Sequence, residues 1–383
     1  MKISTKIQDY LDFLKYSLGD DDTSLPDCAR RINWQELLKF AQKQSIVGIY
    51  WQGIQRLGNK LVDNKPSEDD VLDWMSKVAN IERRNKKLDT VAVKVTKEFQ
   101  NVGYDVCILK GQGNALLYPN PSYRTSGDID VYIHPHKDGN SSMQNTDTEV
   151  KQIIAFCKQH DSSARAIYHH IDFPSVDNVP IEVHYRPSWL NSPINNKKLQ
   201  QVFAQLISGK DGRKLIALPY GEGEIFVPTF GFNVVFQLCH IYNHLLHEGI
   251  GLRQLIDYYY LLKSQKSSNE SKSELNRIIR HCGLAHIGSA LSWVLINILG
   301  LSEDLVVVTP NERFGKQMLN EMIAGGNFGK YDERKLSVVA SSKVMANIHR
   351  LIRDTRMAAY YPSECLWEPW FRVWHWVWRK KHN

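Results

Sequence analysis

Cysteine is scarce in this sequence and is never clustered. The 383 residues contain six cysteines, and no two of them form a Cys-x-x-Cys pair. Disulfide frameworks and structural zinc sites are usually built from closely spaced cysteines, so the sequence indicates neither. We expect the six thiols to be reduced core residues: Cys28, Cys107, Cys157, Cys239, Cys282 and Cys365.

The sequence also has no long hydrophobic run. Its most apolar helix candidate, residues 287–301, is interrupted by glycine, serine and asparagine, and it is too short to span a bilayer. The charged N-terminal residues are not followed by an apolar run, so no secretory signal is indicated. These two observations predict a cytoplasmic protein.

Charge is not concentrated in one place either. The net charge is +7, and no long run of lysine and arginine occurs outside the last few residues. Proteins that bind nucleic acid usually carry a concentrated basic stripe, so the sequence gives no strong nucleic-acid signal. The hydrophobic content of 43% is that of an ordinary globular protein, and the length allows two or three domains.

The most informative stretch runs from Cys107 to Pro135. An apolar run ending at Leu109 is followed by two closely spaced glycines, a short apolar segment, a proline turn and a second apolar run at 131–133. This order predicts a strand, a glycine turn, a short helix, a proline turn and a second strand.

Two carboxylates enter the second strand, and their spacing suggests a metal site. Side chains alternate between the faces of a strand, so Asp128 and Asp130 are expected to point the same way. Two carboxylates on one face repel each other unless a cation lies between them. A hard divalent ion, Mg²⁺ or Mn²⁺, is the predicted occupant, because it accepts its remaining ligands from water and substrate phosphates.

The glycine turn is the predicted phosphate site. Gly111 leaves backbone N–H groups uncovered at the start of a helix, where the partial positive charge favours phosphate. Lys110 adds a full positive charge beside the turn.

These motifs together resemble a known family. Leu109-Lys110-Gly111, Leu117-Tyr118-Pro119, Arg124 and Gly127-Asp128-Ile129-Asp130 are similar to motifs of the uncharacterised bacterial nucleotidyltransferase-like proteins, within the polymerase-beta-type nucleotidyltransferase superfamily. The resemblance extends to His244, Gly251, Leu252, Arg253 and Asp257. It implies an NTP substrate, a divalent metal and proximity to cell-surface polysaccharide genes. One departure concerns triphosphate binding, because Gln112 follows Gly111 where the superfamily usually has glycine or serine.

The superfamily also carries a third carboxylate on a later strand, and Glu182 is the candidate here. The segment 179–185 alternates, which puts Glu182 and His184 on one face. Glu182 is expected to be the third metal ligand or the base that deprotonates the acceptor. A strand with a merely solvated glutamate would show the same alternation. Four other histidines near these strands, His134, His136, His169 and His170, are expected to be solvated or satisfied in the core rather than to bind a metal.

A later predicted helix, residues 232–247, carries three histidines on one face. His240, His244 and His247 follow i, i+4, i+7 spacing, and Arg253 and Asp257 lie on the next helix. One interpretation is that this face closes over the nucleotide, with His244 or His247 on phosphate or the second substrate and Asp257 orienting a histidine. A packed helix pair and a three-histidine zinc site are the alternatives.

The predicted architecture is α+β: a small mixed sheet of nucleotidyltransferase type between N-terminal and C-terminal helical regions. The predicted domains are a helical cap at 1–85, the nucleotidyltransferase core at 86–190 and a mainly helical domain at 191–383. Residues 136–145 are polar and predict an exposed loop. Hairpins are expected at 164–185 and at 214–227.

The C-terminal residues 366–383 contain five of the ten tryptophans, followed by three basic residues. Aromatic rings beside cations suit a membrane interface, so peripheral membrane contact is one interpretation. A helix that docks its aromatic side chains on the body of the protein is the other.

The predicted function is transfer of an NMP from an NTP to a hydroxyl acceptor of unknown identity. Asp128, Asp130 and Glu182 are the predicted metal and catalytic residues. The predicted substrate and phosphate contacts are Lys110, Gly111, Gln112, Arg124, Gly127, His184, His244 and Arg253. The alternatives are a non-catalytic nucleotide-binding or regulatory protein on the same fold and an Asp-x-Asp glycosyltransferase. Helices precede the motif where a glycosyltransferase usually has a nucleotide-binding domain, which disfavours the latter.

Overall fold

A computed structural model describes residues 4–20, 23–58, 60, 63–136, 145–208, 212–220, 223–267, 271–332 and 343–383. Most of the predicted exposed loop, residues 137–144, lies outside these ranges.

The N-terminal region is helical, as predicted. Side chains cap the starts of two of its α-helices: Ser4 accepts the N–H of Ile7, and Asn33 accepts the N–H of Glu36. Ser67 and Asp70 form a capping box that starts the longest helix. The helices are α1 (Thr5–Leu18), α2 (Trp34–Gln44), α3 (Val47–Leu57) and α4 (Glu68–Asn101), with a 3₁₀ turn at Asp27–Arg30.

A mixed four-stranded sheet follows α4. Its strands are β1 (Tyr104–Ile108), β2 (Ile129–Pro135), β3 (His170–Val176) and β4 (Val179–His184), in the order β1-β2-β4-β3. The β1–β2 and β3–β4 pairs are antiparallel, whereas β2 and β4 are parallel. The short helix α5 (Gln112–Ala115) and a 3₁₀ turn (Pro121–Tyr123) lie between β1 and β2, and α6 (Asp147–His160) follows β2.

Both predicted hairpins are present, with one correction. The first arm of the β3–β4 hairpin begins at His170 rather than at residue 164, because only Ala166 of the preceding segment pairs, in an isolated bridge to Ile171. The turn residues Asp177 and Asn178 both have positive φ, which suits a tight two-residue hairpin. The second hairpin pairs β5 (Arg213–Ala217) with β6 (Glu224–Pro228).

The rest of the described chain is mainly helical. The helices are α7 (Pro193–Ile207), α8 (Phe230–His247), α9 (Leu252–Lys263), Lys272–His281, Ala285–Asn297, Glu312–Gly325, Lys343–Ala358 and Pro362–His382, with 3₁₀ turns at Ser264–Ser267, Glu303–Leu305 and Asn327–Gly329. The α+β class, with a small mixed sheet flanked by helical regions, is therefore confirmed. In the part of the chain that the structure describes, every helix is too short or too polar to cross a membrane.

Two hydrophobic clusters hold the fold together. One covers the sheet with residues of α4 and α6, such as Val95 and Ile153. The other joins the N-terminal helices directly to the C-terminal ones, through residues such as Phe13, Tyr50 and Leu255. The predicted boundary between residues 85 and 86 lies within α4, and the division into three domains stays a prediction.

The tryptophan-rich segment forms the last helix, Pro362–His382. Trp378 is 8% exposed and packs edge-on against Tyr168, whereas Trp370 is 71% exposed. Trp370 also lines a cavity of about 1050 Å³, together with Tyr168 and Trp374. The helix thus docks through some aromatic side chains and leaves others on the surface.

Candidate active site

The parallel pairing of β2 with β4 brings two of the predicted acids side by side. Asp130 and Glu182 are register partners in adjacent strands, so the carboxylates come from neighbouring positions of one sheet. Asp130 is 2% exposed, and Glu182 is half-buried. The contacts of His184 with both acids agree with the predicted sharing of one face by Glu182 and His184.

Asp130 is held by a cation and an imidazole. Lys110 Nζ lies 3.0 Å from Asp130 Oδ1, and His184 Nε2 lies 3.1 Å from the same oxygen. Burial alone would raise the pKa of Asp130, but the nearby Lys110 charge and the His184 hydrogen bond lower it below its ordinary value. Asp130 is therefore ionised at neutral pH.

Glu182 is also ionised, and His184 carries the matching charge. Burial would raise the pKa of Glu182, but the hydrogen bond from His184 and the charge of His170 lower it to about 2. Burial would lower the pKa of His184, whereas hydrogen bonds to Asp130 and Glu182 raise it to about 9. A carboxylate with so low a pKa is a poor base, so its environment favours the ligand role of Glu182 over the base role.

Gly111 places Lys110 at the end of β1. Its φ of +67° lies in the region that side chains other than glycine rarely adopt, so the turn requires glycine at this position. The following helix, α5, is only four residues long. Its dipole is correspondingly small, which leaves the Lys110 charge and the backbone amides of the turn as the local features that favour phosphate.

The side chain of Gln112 faces the long helix. It is buried, and its Nε2 donates a hydrogen bond to Asp89 Oδ1 of α4. Gln112 thus anchors the glycine turn to α4, and its phosphate contact stays a prediction. A polar residue after Gly111 suits this buried partner.

Arg124 and Asp257 form a buried ion pair. Arg124 Nε and Nη2 each donate to Asp257 at 2.7 Å, and Tyr118 also donates to Asp257. The guanidinium of Arg124 thus binds Asp257, and the triphosphate contact of Arg124 stays a prediction. Asp257 orients Arg124 rather than a histidine, which corrects that expectation.

Asp128 lies just before β2 and is half-buried. It is close enough to Lys110, Arg124 and Arg253 to affect the pKa of each. Arg253 donates to the carbonyl of Thr125, and Gly127 is exposed and accepts a hydrogen bond from Arg84. Asp128 thus stands among positive charges at the open edge of the site.

The histidines of α8 do not converge on one point. His240 Nε2 lies 3.5 Å from Lys110 Nζ, and the His240 and His244 rings are 4.2 Å apart. His247 instead stacks on Trp189, and His244 pairs with Glu248. Among the described residues, no candidate metal cluster contains these three histidines, so the structure does not support the three-histidine zinc alternative. His240 is the member of this face that reaches the site, and the sequence signal for it was its helical spacing from His244.

Several side chains have the chemistry of metal ligands. Ligand atoms of Asp130, Glu182 and His184 lie within 4.8 Å of one another. Asp130 Oδ2 is buried and has no hydrogen-bond partner among the described residues, so it offers an unused carboxylate oxygen. Asp128 belongs to none of the clusters found among the described residues. The donor set therefore fits a divalent ion at Asp130 and Glu182, with His184 beside them.

The sequence profile of one family matches residues 30–296, and its description is "uncharacterised nucleotidyltransferase". The chain belongs to this family. The match spans the glycine turn, all four strands of the sheet and helices α8 and α9. Membership in the uncharacterised nucleotidyltransferase family points to NMP transfer and an NTP substrate, and enzymes of this chemistry generally use divalent metals.

A solved structure, an antigenic nucleotidyltransferase-like protein from Paracoccidioides brasiliensis, is 13% identical and matches with a TM-score of 0.35. The match covers 59% of this chain and 95% of that chain. The curated proteins contain no match to this member of the family.

Proposed function

We propose that the protein is a metal-dependent nucleotidyltransferase that moves an NMP from an NTP to a hydroxyl acceptor. The observation that carries the proposal is the placement of Asp130 and Glu182 as register partners, with Lys110 against Asp130. Paired carboxylates and a nearby cation are the groups needed to hold Mg²⁺ or Mn²⁺ and the phosphates of an NTP.

The residues divide into three roles under this proposal. Asp128, Asp130 and Glu182 hold the divalent ion, which supplies positive charge at the α-phosphate when bound. Lys110 and the amides near Gly111 neutralise the triphosphate. The acceptor oxygen attacks the α-phosphorus, pyrophosphate leaves, and the hydroxyl proton passes to solvent or to a carboxylate of the site.

The remaining predicted contacts take supporting positions. His184 holds Asp130 and Glu182 in place. Arg253 lies on α9, and His244 lies on α8 next to His240, which reaches Lys110. Arg124 positions the segment between α5 and β2 through Asp257. We assign Arg253 and His244 to nucleotide or acceptor contacts, since both side chains are half-buried at this edge.

Calorimetry of NTP binding tests this proposal. Each of the four NTPs is titrated with and without Mg²⁺ into the wild type and into the Asp128→Asn/Asp130→Asn variant. Binding that requires the metal and disappears in the variant is expected, followed by pyrophosphate release once an acceptor is present. Absence of NTP binding by the folded wild type would overturn the proposal.

A second candidate is a nucleotide-binding protein without transfer activity. The observation that favours it is the Lys110–Asp130 ion pair, because the lysine already neutralises the carboxylate that a metal would use. NTP binding that does not require Mg²⁺, without turnover against sugar, lipid, protein and RNA hydroxyl acceptors, is the result expected for this candidate.

Peripheral membrane contact through the last helix is a separate proposal. Its support is the exposure of Trp370 and Trp376 near Arg379 and Lys380. Co-sedimentation with anionic vesicles, compared between the wild type and Trp370→Ser/Trp376→Ser, tests it. Equal sedimentation of the two proteins would contradict a role for these rings.

A further inference from the structure

Three histidines lie together beside Glu182. The ring centroids of His169 and His170 are 4.4 Å apart, and His184 lies 5.4 Å and 5.2 Å from them. Ligand nitrogens of all three lie within 4.8 Å of one another. The site thus contains an imidazole cluster next to its carboxylates.

The sheet fixes these rings in place. His170 and His184 are register partners across β3 and β4. His169 precedes β3, and its carbonyl accepts the N–H groups of Tyr185 and Arg186 at 3.0 and 3.1 Å. Its ring stacks on Trp189 at 4.1 Å. Ligands held in this way lose little freedom when an ion binds.

The spacing of the polar atoms suits a small tetrahedral ion. His169 Nε2 lies 2.9 Å from His170 Nδ1, and Glu182 Oε2 lies 3.5 Å from both His170 Nδ1 and His184 Nε2. A tetrahedral zinc ion with bonds of about 2.0–2.1 Å places its ligand atoms about 3.3 Å apart. Small shifts of the side chains would bring the three imidazoles around one ion, with Glu182 beside His170 and His184.

We propose that His169, His170 and His184, with Glu182, bind one divalent transition-metal ion of the zinc type, and that His184 releases its Nε2 proton to solvent when the ion binds. Imidazole is a preferred ligand of such ions, whereas carboxylates, carbonyls and water suit magnesium. Three imidazoles and one carboxylate therefore select a different metal from the Asp128 and Asp130 end of the site. The three carboxylates Asp128, Asp130 and Glu182 offset the positive charge of Lys110.

This site adds to the proposed function and does not depend on it. Glu182 has two carboxylate oxygens, and its ligand atoms lie within 4.8 Å of those of Asp130 and His184 and also of those of His170 and Asp172. An ion at the histidines would fix Glu182 and His184, which in turn border Asp130. Binding of this ion is measurable without any nucleotide.

The test uses Co²⁺ as a spectroscopic probe of the metal-stripped full chain. Four-coordinate Co²⁺ absorbs visible light more strongly than six-coordinate Co²⁺. We expect one equivalent to bind with the four-coordinate spectrum, to be displaced by Zn²⁺ and to be retained in excess Mg²⁺. The six cysteines are buried, and the expected spectrum lacks the thiolate-to-cobalt band. Absence of Co²⁺ binding, or a spectrum dominated by that band, would overturn the proposal.

Two variants locate the ion. His169→Phe keeps an aromatic ring on Trp189 and removes both nitrogens, and His170→Gln removes the imidazole of the less buried ring. Each is expected to weaken Co²⁺ binding at least about tenfold. The control is His281→Gln, at the exposed end of the helix Lys272–His281, which should bind Co²⁺ like the wild type. Wild-type affinity in both cluster variants would contradict the assignment.

A second measurement uses only the wild-type protein, so it tests the site even if the variants do not fold. Wild-type protein is treated with diethyl pyrocarbonate with and without Zn²⁺, and modified histidines are identified by mass spectrometry. Zn²⁺ is expected to slow modification of His170 several-fold and to leave His281 unchanged. Equal modification of His170 with and without Zn²⁺ would overturn the proposal.

Parallel NTP titrations of the wild type separate this inference from the proposed function. Co²⁺ binding without Mg²⁺-dependent NTP binding would remove the nucleotidyltransferase and support the histidine site. Mg²⁺-dependent NTP binding without Co²⁺ binding would remove the histidine site and support the proposed nucleotidyltransferase.

Discussion

Lys110 Nζ lies 3.0 Å from Asp130 Oδ1, so the cation after β1 is the direct partner of the carboxylate inside β2. A divalent ion at Asp130 needs the same carboxylate that Lys110 neutralises. Lysine and metal therefore compete until an NTP brings phosphates that can accept the lysine charge. The pair links metal binding to nucleotide binding under the proposed function.

Lys110→Met should tighten binding of Mn²⁺ in the absence of nucleotide. Two charges at this separation interact by a few kcal/mol at an effective dielectric constant near 20, so a gain of about tenfold or more is expected. NTP affinity should fall in the same variant because a phosphate contact is lost. Electron paramagnetic resonance of free Mn²⁺ gives the first quantity and calorimetry the second. The control is Lys97→Met, an exposed lysine of α4. Weaker Mn²⁺ binding in Lys110→Met would rule out the competition.

Arg124→Met should destabilise the fold by about 3–5 kcal/mol, because it leaves Asp257 buried without its cation. Urea unfolding at pH 7 measures the loss, and adding Asp257→Leu should restore part of it. Lys316→Met breaks an exposed pair with Glu312 and should cost less than about 1 kcal/mol. A folded Arg124→Met protein with normal stability but weak NTP binding would instead support the triphosphate contact first expected for Arg124.

Trp378→Ala and Trp370→Ala form a matched pair within one helix. Trp378 is buried against Tyr168 and Tyr185, so its truncation should cost about 3–5 kcal/mol of unfolding free energy. Trp370 is mostly exposed, and its truncation should change stability by less than about 0.5 kcal/mol. Urea unfolding compares them. Equal losses would show that the docking of this helix is not as described.

His375 should make stability depend on pH. Its Nε2 accepts the N–H of Tyr168, and burial, with a smaller effect of Arg379, lowers its pKa from 6.5 to about 4. The unfolded chain binds the proton more readily, so the stabilisation is present above about pH 6.5 and is lost as the pH falls toward 4. Urea unfolding between pH 4 and 7 should therefore show a smaller acid loss in His375→Gln than in the wild type. If the free energy of unfolding falls equally with acid in both proteins, His375 does not cause the pH dependence.

Much of the local structure was predictable because short-range patterns decide it. The caps at Asn33 and Ser67 and the alternation around Glu182 lie within a few residues of the elements that they define. Gly111 was recognisable as a turn for the same reason. The family resemblance, drawn from residues 109–130 and from α8 and α9, is confirmed by the family match.

The partners of the polar side chains were not predictable in the same way. Gln112 binds Asp89, and Arg124 binds Asp257, 133 residues away in the chain. The predicted phosphate roles of both residues assumed open space beside them. In the folded chain, both side chains are buried and pair with acids of helices that are distant in sequence, Asp89 of α4 and Asp257 of α9.

His169 and His170 show the same limit. In sequence they are two adjacent histidines in the first arm of the predicted hairpin, a pattern that fits side chains that are solvated or satisfied in the core. The pairing of β3 with β4 sets them beside His184 and Glu182, and Trp189 covers one ring.

The sequence by itself determined the three acids. It also determined the helices, the strands and the glycine turn, because each of these elements depends on residues that are close together in the chain. Only the tertiary structure decided which acids are adjacent. The parallel pairing of β2 with β4 joins Asp130 to Glu182 across more than fifty residues and brings Lys110, His184 and His240 around them. Side-chain contacts at that separation depend on sheet order and helix packing, which no local pattern specifies.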